Sequence, residues 1–145
     1  MKFVHLHTHS HYSLLDGLSK IDDLITQTKA LEMEAVALTD HGNLYGAIEF
    51  YKKAKKAGIK AIFGCEFYVA PNGRLNKRAG ADEERNHLIL LAKNEAGWKN
   101  LLKLVTASNL EGFYYKPRID HELIKLHSDG LVCLAGCLSG EVSKF

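Results

Sequence analysis

Four histidines occupy every second position from His5 to His11 in the stretch HLHTHSHYSLLDG, and Asp16 follows them. Alternate side chains of an extended segment point to the same side, so His5, His7 and His9 are expected to share one face, with Val4, Leu6 and Thr8 on the other. Neighbours on such a face lie roughly 6.5–7 Å apart along the strand, which lets two imidazoles close on one metal ion or on adjacent ions. Imidazole suits zinc, iron, copper or nickel, and a carboxylate such as Asp16 extends the choice to manganese. An exposed histidine-rich strand end or a tag remnant would show the same spacing. Two features separate the readings: apolar residues are interleaved with the histidines, and ligand-type residues recur downstream.

The downstream candidates are His41 in TDHGN, Glu66 in GCEFYV, His87 in NHLILL and Cys137 in AGCLSG. Each has an ordinary alternative. His41 could be a turn residue beside Asp40 capping the next helix, Glu66 could pair with a lysine, and Cys137 could be a small core residue. His11 reads as a loop residue, and His121 and His127 as surface positions.

The elements that must position these residues alternate between strand and helix. Lys2 to Leu6 reads as a first strand delivering the histidines. Ser19 and Asp22 form a helix-capping pair, followed by helical spacing of Ile21, Leu24, Ile25, Thr28 and Leu31, with an end near Glu34. Ala35 to Thr39 is a short buried strand. Leu44, Ala47, Ile48, Tyr51 and Ala54 make an apolar helical stripe, closed by Gly58. Lys60 to Ala70 is a third strand, bent at Gly64. The polar stretch from Pro71 to Arg85 reads as a solvated, mobile loop. His87 to Ala92 is a fourth strand with His87, Ile89 and Leu91 on one face, and Trp98, Leu101, Leu102 and Val105 mark the core face of the next helix. Gly112 to Arg118 (GFYYKPR) is aromatic and basic, suited either to core packing or to stacking on a nucleobase. Asp120 caps a short helix through Leu126, Leu131 to Ala135 is a fifth strand, and a last helix begins after Cys137.

Strands alternating with helices, without hairpin signals, imply an α/β fold with a mainly parallel sheet. Polar residues gathered after the strands suit an incomplete α/β barrel, whose active site lies at the C-terminal ends of the strands. His7, His9, Asp16, His41 and Cys137 fall there, and Glu66 is expected there too. His87 begins its strand, so it must project inside the barrel or its strand must run the other way.

The 145 residues are 46% hydrophobic and 25% charged, with a formal net charge of 19 − 17 = +2, the composition of one ordinary soluble domain. Apolar runs such as Leu131–Leu138 are far shorter than the roughly 18 residues that span a bilayer, and no signal peptide is evident. Cys65, Cys133 and Cys137, odd in number and embedded in apolar segments, argue against a disulfide framework and for a reducing cytoplasm. The small charge says little about a nucleic-acid partner. Several imidazoles, carboxylates and a thiolate together would hold two or three divalent ions, which lower the pKa of a shared water and clamp phosphoryl oxygens. Phosphoester hydrolysis is the expected reaction class, and no glycine-rich phosphate loop or nucleophile elbow competes with it.

At this point HLHTHSHYSLLDG, TDHGN, FGCEFYV, NHLILLAKN and LAGCLSGEVSKF together resemble the polymerase and histidinol phosphatase (PHP) domain, in the form found at the N-terminus of bacterial DNA polymerase III alpha subunits. The resemblance spans essentially the whole chain. SLLDG, GFYYKPRID and GCLSGEV carry its specific part. It implies a distorted (β/α)7 barrel, mainly parallel, with a trinuclear site of zinc, manganese or iron. It assigns metal-ligand and catalytic roles to His7, His9, Asp16, His41, Glu66, His87 and Cys137. His5 stands where many stand-alone members carry aspartate.

The family's final Asp-x-His ligands and the remaining barrel units do not occur in residues 1–145, which are therefore expected to be the N-terminal portion of the PHP domain of a longer protein. The resemblance further implies DNA-directed DNA polymerase activity in the parent protein, 3′-to-5′ exonuclease or phosphoesterase activity in the complete domain, a cytoplasmic location without membrane contact, and DNA and other replicative subunits, a proofreading exonuclease among them, as partners. Two alternatives stay open: a stand-alone phosphatase of small phosphate monoesters, and a non-catalytic scaffold that docks a proofreading subunit.

Overall fold

The computed structural model describes residues 3–14, 16–136 and 138–144. Helix α1 (Ile21–Ala30) leads into β1 (Ala35–Leu38), then α2 (Ala47–Ala57) into the long β2 (Lys60–Val69). After β2 come β3 (Asn86–Ala92), α3 (Glu95–Leu110), β4 (Arg118–Ile119), α4 (His121–Leu126), β5 (Leu131–Leu134) and a 3-10 turn at Val142–Lys144.

Strand β2 is the spine. Its first half pairs parallel with β1, from Ala35↔Lys60 to Leu38↔Phe63, and its second half pairs antiparallel with β3, from Gly64↔Leu91 to Val69↔Asn86. Its tip pairs parallel with β4, and β5 is antiparallel to β3. Four strands thus share one direction and β3 opposes them, an α/β sheet that is mainly parallel as expected. The exception is the strand that begins with His87. Residues 70–85 return the chain to the same end of β2, so β3 starts beside the end of its neighbour. The handover between partners falls at Gly64, where a Cβ would lie 2.5 Å from Leu91 Cδ2 and 2.7 Å from Leu90 O. Only a glycine permits that approach.

The period of two along the strands sorts side chains to two faces. Cys65, Phe67, Val69 and Leu90 are buried against Leu101 and Leu104 of α3, and Val36 and Leu38 against Ile21, Ile25, Phe50 and Ala54 of α1 and α2. The opposite face carries Ala37, Ile89 and Leu91, with Ile62 and Leu134 packed against them. Glu66, Tyr68 and His87 continue that second face toward one end of the sheet. With Leu88 packed on the α3 side, the expected alternation of His87, Ile89 and Leu91 holds.

Several expectations need correction. Lys2–Leu6 does not form a strand over its described residues; His5 makes an isolated parallel bridge to Val36, and the backbone bends at Leu6 and His7. Helix α1 has Lys20 rather than Ser19 at its N-cap and no side-chain cap, since a lysine ammonium has no acceptor to offer the first-turn amides; the Ser19 carbonyl accepts from the amide of His11. It also ends earlier than expected, leaving Leu31 exposed. In α2 the buried positions are Ala47, Phe50 and Ala54, whereas Ile48 and Tyr51 are exposed. In α3 they are Gly97, Leu101, Leu104 and Ser108, and Leu102 faces outward. The helical period was right in each case but its phase was set by the sheet contact.

The stretch from Pro71 to Arg85 is a largely exposed loop, as expected, and it is anchored at several points. The Arg74 guanidinium contacts Glu111 and Asp120, and the Arg78 guanidinium pairs with Asp82. Arg118, only 1% exposed, donates to the carbonyls of Gly112, Asp82, Arg74 and Asn76. A guanidinium is suited to this because its donors fan out in one plane. Asp120 does cap α4, accepting from the amide of Leu123, and Gly58 closes α2 at φ +74°.

Candidate metal centre

Glu66 is the hub of the site. Its side chain is 2% exposed and both carboxylate oxygens face imidazoles. Oε2 lies 2.5 Å from His7 Nε2 and 3.0 Å from His9 Nε2, and those two nitrogens are 3.0 Å apart. Oε1 lies 2.7 Å from His87 Nδ1 and 3.3 Å from His41 Nδ1. His41 Nε2 in turn meets Asp16 Oδ2 at 2.9 Å. The rings of His9 and His41 stack at 4.1 Å between centroids; Tyr68 stacks on His41 at 5.9 Å and meets His87 edge-on at 5.4 Å.

Four backbone segments deliver these groups. The segment carrying His7 and His9 runs beside β1, with the Ala37 amide donating to His5 O, the Thr39 amide to Thr8 O and the Thr8 amide to Thr39 Oγ1. The turn after β1 continues the pairing with β2: the Glu66 amide donates to Asp40 O and the Gly42 amide to Glu66 O, which fixes His41 beside Glu66. Gly42 adopts φ +61°, and a Cβ there would strike Pro117. His87 sits across from Tyr68 in the antiparallel register, and its amide donates to Ser139 O.

Beneath the histidines lies a buried polar cradle. Asp40, 1% exposed, accepts from the Ser10 amide, the Ser10 hydroxyl and the Ser13 hydroxyl. Ser13 Oγ also stands 3.0 Å from His9 Nδ1 and accepts from the His41 amide. With the Ser13 proton given to Asp40, His9 Nδ1 is the donor of that contact, which leaves His9 Nε2 as a lone pair aimed at Glu66 and His7. Asp40 therefore serves the loop before α1 rather than capping α2.

The electrostatics follow from burial opposed by pairing. Burial raises the pKa of Glu66, but the surrounding imidazoles, His41 and His9 foremost, outweigh it and hold the carboxyl well below its usual range. The facing Glu66 carboxylate pulls His41 up, against its own desolvation. Burial pushes His87 down, outweighing the attraction of Glu66, and an imidazole kept neutral keeps a lone pair for a metal.

The structure thus gathers His7, His9, Asp16, His41, Glu66 and His87 in one cluster. Cys137 lies outside the described residues. His5 is not in the cluster: the bend at Leu6 and His7 turns it away, and its ring packs edge-on against Phe3 at 4.8 Å. His11 stacks on Tyr12 in the loop, His121 pairs with Glu141 at the surface, and His127 is half-exposed. The sequence reading did not assign Ser10, Ser13, Asp40 or Tyr68. Only Tyr68 carried a usable signal, since it follows Glu66 by two positions on the same strand.

The donor set fits divalent ions. His7 Nε2, His9 Nε2 and Glu66 Oε2 lie within 4.8 Å of one another, the spacing of donors around one ion with bonds of about 2.0–2.2 Å. Glu66 Oε1 and His41 Nδ1 are buried and, although 3.3 Å apart, form no well-aligned hydrogen bond among the described residues, so lone pairs on that side of the carboxylate stay available to an ion. A cavity of about 700 Å³ lies elsewhere, along Lys60–Phe63 near the beginning of β2 with Trp98 and Val132. It is mainly apolar and contains none of these groups.

The PHP domain model matches residues 5–145. The chain is 55% identical over 144 residues to the DNA polymerase III subunit alpha of Borreliella burgdorferi, covering 99% of this chain and 13% of that protein. It is 52% identical over 143 residues to that of Treponema pallidum, covering 98% of this chain and 12% of that protein. The chain therefore spans about an eighth of the length of these relatives. Among solved structures, an inferred metal-dependent phosphoesterase from Bifidobacterium adolescentis superposes with a TM-score of 0.51 at 19% identity, over 74% of this chain and 35% of that one. That likeness concerns the fold.

Proposed function

The chain belongs to the PHP domain family, and from that premise we propose that the cluster around Glu66 is a multinuclear metal centre for phosphoester hydrolysis, carried by a replicative DNA polymerase III alpha subunit. The ligands in this reading are His7, His9, Asp16, His41, Glu66 and His87, with Cys137 added on its motif alone. Residues 1–145 are one portion of the PHP domain, and the parent protein is a cytoplasmic DNA-directed DNA polymerase acting on DNA with other replicative subunits.

The observation that carries this reading is that one buried carboxylate touches imidazoles through both oxygens. A buried anion needs hydrogen-bonding partners, but four histidines on one carboxylate exceed that need, and donors on both of its sides could hold more than one ion. Divalent ions bound there would lower the pKa of water and offset charge on phosphoryl oxygens. The chain's own part is to hold the donors. Glu66 joins the two histidine pairs, and Ser13 fixes the tautomer of His9. Asp16, at 62% side-chain exposure, closes the outer side beside His41.

The test is hydrolysis by protein stripped with a chelator and reloaded with manganese or zinc. The proposal expects metal-dependent release of nucleoside monophosphates from the 3′ end of single-stranded DNA. Hydrolysis of small phosphate monoesters alone would indicate a phosphatase, and no metal-dependent cleavage of either substrate would indicate a scaffold.

A further inference from the structure

Beside the cluster a second cleft of about 250 Å³ opens to solvent, and Asp16 and His41 belong to its wall. Its other walls carry exposed aromatic rings. Tyr45 is 67% exposed and Phe113 53% exposed, both lining the cleft with Tyr68 and Lys116. Large rings left open to water around a small hollow are groups with unmet contact area.

Charge is arranged on the same side. Lys116 Nζ lies 5.6 Å and Arg85 Cζ 5.8 Å from the centroid of the Tyr68 ring, the ring that stacks toward His41. Two cations therefore gather at Tyr68, Lys116 in the cleft wall and Arg85 beside the same ring. Phe113 and Lys116 come from GFYYKPR, the one stretch whose composition suits stacking on a base, and Pro117 of the same stretch holds that segment against Gly42 in the His41 turn.

We propose that this cleft binds the nucleobase of the terminal nucleotide whose phosphate lies at the metal centre, with Tyr45 and Phe113 as stacking walls and Lys116 and Arg85 meeting the phosphate. The inference rests on the phosphoesterase reading and deepens it by assigning a subsite to the terminal base. At about 250 Å³ the cleft is smaller than the roughly 300–1,000 Å³ clefts that enclose drug-sized ligands, so it takes one base. Stacking on side-chain rings is tolerant of base identity, which fits a site that must accept any terminal nucleotide.

Binding to the manganese-saturated protein, measured by calorimetry, tests this. The probes are inorganic phosphate, deoxyribose 5′-phosphate and thymidine 5′-monophosphate. The wild type is expected to bind the nucleotide at least about tenfold more tightly than the sugar phosphate, the size of one base–ring stack. Phe113→Ala and Tyr45→Ala should each erode that preference while leaving the sugar phosphate unaffected, and Lys116→Ala should weaken both phosphate esters alike. Equal affinity for nucleotide and sugar phosphate in the wild type, or a preference that survives in the Phe113→Ala/Tyr45→Ala double variant, overturns the cleft assignment while phosphate binding persists. Failure to bind even inorganic phosphate overturns the metal-centre reading and the cleft with it.

Discussion

His87 Nδ1 stands 2.7 Å from Glu66 Oε1, a contact possible only because β3 runs against β2 and places His87 across from Tyr68. Glu66 Oε2, His7 and His9 form a separate triangle on the other carboxylate oxygen. His87→Ala should therefore remove one class of bound ion and spare the other. Metal titration by competition with a chromophoric chelator is the measurement. Loss of all binding, or of none, would contradict this division.

Ser13 links the imidazole of His9, the amide of His41 and the buried carboxylate of Asp40. Ser13→Ala should lower metal affinity at the His9 position roughly 10–100-fold, as loss of an outer-shell partner does. It should also cost about 1–3 kcal/mol of stability, because Asp40 loses a buried donor. Chemical denaturation of the metal-free protein separates the two effects.

Asp120 ties the 71–85 segment to α4, accepting from the amides of Arg74 and Leu123 and from the Arg74 guanidinium. Burial raises its pKa, but those donors outweigh burial and leave it depressed. A depressed carboxyl contributes stability above its unfolded pKa of about 3.9 and loses that contribution as pH falls through the folded value. The wild type should therefore weaken on acidification below about pH 4. Asp120→Ala should be less stable at pH 7 by about 1–2 kcal/mol, the worth of a helix cap, and lose less on acidification. Denaturant midpoints at pH 7 and pH 3 check both parts.

Strand β5 pairs with β3 alone among the described residues, and Val132 and Cys133 on it are exposed. An apolar edge strand is a template for another chain. Residues 1–145 taken by themselves should self-associate as their concentration rises, and Val132→Lys should suppress this. Sedimentation velocity across a concentration series is the check, and a monomer throughout would count against it.

Much of this was legible in the residues. His7, His9, Asp16, His41, Glu66 and His87 carry side chains whose chemistry is distinctive, and their meeting follows once strands and turns alternate. The direction of β3 was not legible, since residues 70–85 hold no tight-turn signature and the pairing is fixed by long-range hydrogen bonds. Strict alternation misplaces His5, because it assumes an extended backbone and the bend at Leu6 and His7 breaks it. Spacing alone points Ile48, Tyr51 and Leu102 to the core, but which of two adjacent helical stripes is buried depends on the sheet beneath, and all three are exposed. The Ser13–Asp40 cradle carries only common polar residue types, and its role appears only when β1 sets them under His9.

The most direct test of the metal-centre account is metal content per chain, measured by mass spectrometry on untagged protein after dialysis, for the wild type and Glu66→Gln. Glutamine keeps the shape of the hub and removes its charge. The account expects more than one ion per wild-type chain and a loss of most of them in Glu66→Gln, with circular dichroism showing both proteins folded. Equal metal content in the two folded proteins, or none in the wild type after manganese and zinc are supplied, would contradict it.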